Sequence, residues 1–113
     1  EDTKKGFCYV EVKNVSLVSN SGSYQFPDAV TARGLKHINE LLEMKNQGHR
    51  AVLIFVINRS DASIFEPAWD IDAKYAEALL NAVERGLEVL AYQVKIEPPC
   101  AVIEKQIATK LFR

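Results

Sequence analysis

A glutamate and a lysine two residues apart, Glu11 and Lys13, interrupt the apolar run FCYVEVKNV at residues 7–15. In an extended chain alternate side chains leave on opposite faces, so these two project from the same side. A carboxylate and an ammonium held on a strand that otherwise reads as core cost desolvation energy, and a fold keeps them for a compensating reason. Phosphodiester hydrolysis supplies one: the carboxylate holds a divalent cation, Mg2+ or Mn2+, and the lysine orients or activates the attacking water. The alternative is a solvated, mutually neutralising pair at a strand end. The tripeptide E-x-K is common, and alone it favours that alternative.

Other polar residues join this pair only if the fold brings them there. Arg33, Lys36 and His37 have the i, i+3, i+4 spacing of one helix face, where they either meet solvent or contact phosphates. His37 is equally readable as a half-buried helix histidine without chemistry. Asp28 reads first as a helix N-cap and second as a metal-adjacent carboxylate beside Glu11. Arg59, Ser60 and Asp61 follow a long apolar run, and open α/β sheets place ligands beyond the carboxyl ends of such strands. His49 and Arg50 read as loop residues at a helix end, and Trp69 as a loop anchor packed on the core.

The elements that must position these groups follow from the hydrophobic period. A strand over about residues 7–18 leads into the polar turn SNSGSYQ, and a helix of about 18 residues runs from Asp28 to a stop at Gly48. Val30, Leu35, Ile38, Leu41 and Leu42 form its apolar stripe. The run AVLIFVI at 51–57 is continuous rather than alternating, which predicts a central strand covered on both faces and paired in parallel. A loop at 58–69 precedes a second helix, AKYAEALLNAVER, opened by Asp70 or Asp72 and ended by Gly86. LEVLAYQVKI is the third strand; Pro98 and Pro99 break the pattern, and the tail is left unplaced. Strand–helix alternation with short connections predicts an α/β fold with a mostly parallel sheet, right-handed crossovers and helices on both faces.

A chain of 113 residues with 48% apolar and 26% charged residues suits one globular domain. A formal charge of −1 gives no basic footprint, which argues against strong nonspecific nucleic-acid affinity by this chain alone. Cys8 and Cys100 lack metal-ligand spacing and read as reduced thiols in a cytoplasmic setting. There is no apolar run of membrane-spanning length, and no G-x-G-x-x-G or Walker-type phosphate loop.

Four segments, CYVEVKNVSLV, FPDAVTARGLKHINEL, GHRAVLIFVINRSDASIFEPA and IDAKYAEALLNAVERGLEVLAY, occur in this order between Cys8 and Tyr92. Together they resemble the C-terminal domain of the sugar fermentation stimulation (SfsA) family. The resemblance implies a restriction-endonuclease-like core of the PD-(D/E)xK phosphodiesterase type, DNA binding, and a link to regulation of sugar, especially maltose, metabolism. It also implies an N-terminal OB-like domain as a partner, and an upstream strand bearing the Asp that supplies a second metal-holding carboxylate. Neither is matched here, so the expectation is a C-terminal fragment, residues 1–113, lacking its upstream strands and carrying an incomplete, inactive site. With the residues' own reading, the candidate site residues are Glu11 and Lys13 for catalysis, Glu11 and Asp28 for metal, and Arg33, Lys36, His37 and Arg59 for phosphate.

Overall fold

The structure is a computed structural model, and it describes residues 6–112. Seven strands and two helices follow in the order β1 (Cys8–Val15), β2 (Leu17–Val18), β3 (Tyr24–Phe26), α1 (Ala32–Asn46), β4 (Arg50–Ile57), β5 (Ile64–Pro67), α2 (Ala73–Glu84), β6 (Glu88–Glu97) and β7 (Cys100–Thr109). They form one sheet in the order β1-β4-β6-β7-β5-β3-β2. As the apolar run predicts, β4 lies between β1 and β6 and is parallel to both. The far half is mixed, with β5 parallel to β3 and β7, whereas β6–β7 and β2–β3 are antiparallel. The sheet is therefore less uniformly parallel than the strand–helix alternation suggests.

Helices on both faces are not what the described residues show. Alternate residues of β4, Leu53, Phe55 and Ile57, share one buried cluster with Ile38 and Leu41 of α1 and Tyr75, Leu79 and Ala82 of α2. Both helices thus pack on the same side. On the opposite face of β1, Val10 and Val12 remain 52% and 54% exposed.

Helix boundaries have local causes. Thr31, rather than Asp28, caps α1: its hydroxyl accepts from the Gly34 amide at 2.9 Å, while Asp28 stays exposed ahead of the helix. Asp72 caps α2 by accepting from the Tyr75 amide at 3.1 Å, and its other oxygen accepts from the Thr31 amide at 3.0 Å. One carboxylate therefore ties the two helix starts together. The chain leaves the helices through Gly48 and Gly86, whose φ angles of 94° and 106° exclude most side chains.

Candidate functional site

Parallel pairing sets Glu11 beside Leu53 and Lys13 beside Phe55, on the sheet face that the helices cover. Because α1 crosses this face with Ile38 and Leu41 turned inward, its neighbouring residue His37 is delivered onto the strand pair. His37 Nδ1 lies 2.6 Å from Lys13 Nζ and 3.1 Å from Glu11 Oε1, and Lys13 Nζ is 3.5 Å from Glu11 Oε1. The three side chains are largely withdrawn from solvent, with 15% exposure for Lys13, 20% for His37 and 34% for Glu11. Beside them an open cleft of about 430 Å³ is lined by Tyr9, Glu11, His37, Glu40, Leu41 and Met44.

Behind the cluster sits Tyr75, fully buried, with its ring 5.4 Å from that of Phe26 and its hydroxyl without a hydrogen-bond partner among the described residues. Burial pushes its phenol well above the ordinary range, with smaller contributions from the charges of Asp72 and Glu11. Tyr75 escapes notice in the sequence because it occupies an ordinary core position of an amphipathic helix.

The remaining polar residues are distributed more widely than one shared cleft. Arg33 and Lys36 are exposed on α1, on turns adjacent to His37. Asp28 is exposed and does not line the cleft. Arg59 faces a different cleft, which it shares with Asn58, Ser60, Gln93, Lys95 and Glu104. Its guanidinium is bound by Asp61, which holds the arginine's proton more tightly than usual, and by the Ser16 carbonyl at 2.8 Å. His49 accepts from the Phe7 amide at 3.0 Å, and Arg50 makes a bidentate pair with Glu88 at 2.6 and 2.8 Å. The His49 amide also donates to the Met44 carbonyl at the end of α1, at 3.1 Å, so His49 serves both the helix end and the strand start. Among the described residues no group of three histidine, cysteine, aspartate or glutamate side chains could hold a metal ion, so Glu11 and His37 are a two-donor set.

This chain has relatives among known proteins. The model of the sugar fermentation stimulation protein RE domain matches residues 1–99. The chain belongs to the SfsA family. A homologue from Shewanella pealeana is 48% identical over 111 residues, covering 98% of this chain and 47% of its own. Another from Citrifermentans bemidjiense is 50% identical over 93 residues, covering 82% and 40%. The solved structure of Pyrococcus furiosus SfsA in complex with Ca2+ matches with a TM-score of 0.81 at 29% identity, over 91% of this chain and 45% of that one. The chain spans about half the length of the SfsA relatives it matches. No helix among its described residues is long and apolar enough to cross a membrane.

Proposed function

We propose that this chain forms the Glu11–Lys13 half of a metal-assisted nucleic-acid site in an SfsA-family protein. DNA is the main partner, held through phosphate contacts, and sugar metabolism is the setting that family membership suggests. The observation that carries this reading is the convergence of Glu11, Lys13 and His37 beside an open cleft. A carboxylate suited to Mg2+ or Mn2+ there adjoins an ammonium that can meet a phosphate oxygen or hold a water. Arg33 and Lys36, exposed on the same helix as His37, are placed to extend phosphate contacts beyond the cleft. The Ca2+ complex of the archaeal relative supports a cation site in this family.

A second reading, phosphodiester cleavage, rests on the same pair. A bound cation would polarise the phosphate, Glu11 would hold it, and Lys13 would orient the attacking water. Electrophoretic mobility shift of duplex DNA by a full-length SfsA protein carrying these residues tests the first reading. Binding should weaken steeply with added salt, and Lys36→Glu combined with Arg33→Glu should weaken it further. Affinity indifferent to both salt and these charges would reject it. Divalent-dependent cutting abolished by Glu11→Ala would establish the second reading, and its absence in the full-length protein would leave binding alone.

A further inference from the structure

Phe7, Tyr9, Glu11 and Lys13 alternate along one extended stretch, so an aromatic pair and an ionic pair leave the same face in a single row. The aromatic end is open to solvent. Phe7 is 58% and Tyr9 39% exposed, although rings of this size normally bury most of their surface. His49, just beyond α1, completes a trio: its ring lies 5.7 Å from that of Phe7 and 5.3 Å from that of Tyr9. Phe7 and Tyr9 are themselves 6.4 Å apart.

The fold holds this exposed group in place. The Phe7 amide donates to His49 Nδ1 at 3.0 Å, so the neutral imidazole keeps its hydrogen on Nε2 as a further donor. The Arg50 amide donates to the Phe7 carbonyl at 2.9 Å and the His49 amide to the Met44 carbonyl at 3.1 Å, which fixes the backbone on both sides of the imidazole. Gly6, at φ 65°, permits the close approach, since a Cβ there would lie 2.6 Å from His49 Nδ1. None of the three ring pairs is stacked in parallel, the interplanar angles being 72°, 43° and 66°. Ring faces therefore remain for a flat partner.

Tyr9 stands in the wall of the cleft that Glu11 and His37 also line. A strand whose phosphate meets Lys13 would run along the row toward Tyr9 and Phe7, and the flat groups it brings are its bases, each with a π face. A duplex keeps those faces stacked inside itself, so only unpaired bases can lie on the rings. Glu40, in the same wall, repels a phosphate but not a neutral base. Stacking also suits a chain of formal charge −1, which draws little on backbone attraction.

We infer that Phe7, Tyr9 and His49 form a stacking platform for unpaired bases, next in line to the Glu11–Lys13 pair. This rests on the reading of the cleft as a phosphate site, and it adds the kind of strand recognised: single-stranded or frayed DNA ahead of blunt duplex.

Fluorescence anisotropy of a labelled single-stranded oligonucleotide and of the matching blunt duplex, with a full-length SfsA protein carrying these residues, tests the platform. The single strand should bind several-fold more tightly than the duplex. Tyr9→Ala and Phe7→Ala should each weaken the single strand by about tenfold, within the range for loss of one base–aromatic stack, and change the duplex by less than about twofold. Tyr9→Phe should keep wild-type affinity, whereas Phe7→Leu, which stays apolar but lacks a π face, should behave as Phe7→Ala does. Quenching of 2-aminopurine placed in the strand should be lost in the same variants. Far-UV circular dichroism melts identify folded variants, and the Leu substitution serves if alanine unfolds the chain. A tighter duplex, or folded variants that leave both affinities unchanged or lower both alike, overturns the platform and leaves the phosphate reading standing. Failure of both DNA forms to bind removes the phosphate reading and the platform with it.

Discussion

Asp72 does two jobs with one carboxylate, capping α2 through the Tyr75 amide and holding the Thr31 amide at the start of α1. The Thr31 donor, then that of Tyr75, keeps its carboxyl below the ordinary range, against the opposing effect of burial. A depressed folded-state value contributes stability that is complete above the unfolded value, about 3.9, and is lost as pH falls through the folded one. Asp72→Ala should therefore cost about 2 kcal/mol at neutral pH, the loss of a cap plus a charge-assisted bond. Below about pH 4 the wild-type and variant stabilities should converge. Urea unfolding across pH checks both statements; a difference unchanged into strong acid would show that Asp72 acts by shape alone. The cap on α2 was legible from Asp72 preceding an apolar-periodic run, but its bond to Thr31 was not, since nothing local encodes a contact 41 residues away. For the same reason Asp28 reads as the cap of α1 when Thr31 fills that role. Glu11 and Lys13 could be placed on one face from spacing alone, whereas His37's turn toward them depends on how α1 crosses β1.

That crossing is set at the element scale by Gly34. A Cβ built there would lie 2.7 Å from Thr31 Cγ2 and 3.0 Å from Tyr75 Cε2, so the glycine lets α1 approach the Tyr75 ring. Thr31 cannot easily yield, because its hydroxyl caps the Gly34 amide, and Tyr75 is fully buried. Alanine would normally gain about 1 kcal/mol over glycine inside a helix. Overpacking costs about 1–3 kcal/mol and should win, leaving Gly34→Ala less stable in urea unfolding and moving His37 away from Glu11. A stabilised Gly34→Ala protein would mean that the helix pair adjusts freely at this point. The helices α1 and α2 were readable because one buried face imposes its period on the chain, and β4 because its unbroken apolar run marks a central strand. β3 and β5 were not, being three and four residues long and defined by partners far away in sequence. β7 was missed for a different reason: most of CAVIEKQIAT is exposed, so no inward–outward alternation marks it, and its pairing with β6 and β5 makes it a strand.

For the molecule as a whole, among the described residues β1 is an edge strand of the sheet, carries both Glu11 and Lys13 and pairs with β4 alone. Val10 and Val12 on its outer face are half exposed, although the parallel strands of an α/β fold are normally covered on both sides. A two-donor set holds Mg2+ poorly, because so few ligands cannot replace enough of its tightly held hydration shell. With a formal charge of −1, the chain also offers little attraction to a phosphate backbone. The 113-residue chain alone should therefore cleave no DNA and shift it only weakly in a gel, even with millimolar Mg2+. A full-length SfsA protein carrying the same residues should bind DNA in a salt-sensitive manner, as the proposed phosphate contacts require. Parallel gel-shift and cleavage assays on the two proteins decide the matter. Robust cutting by the short chain would show that Glu11, Lys13 and His37 suffice, and that no second carboxylate from outside these residues is required.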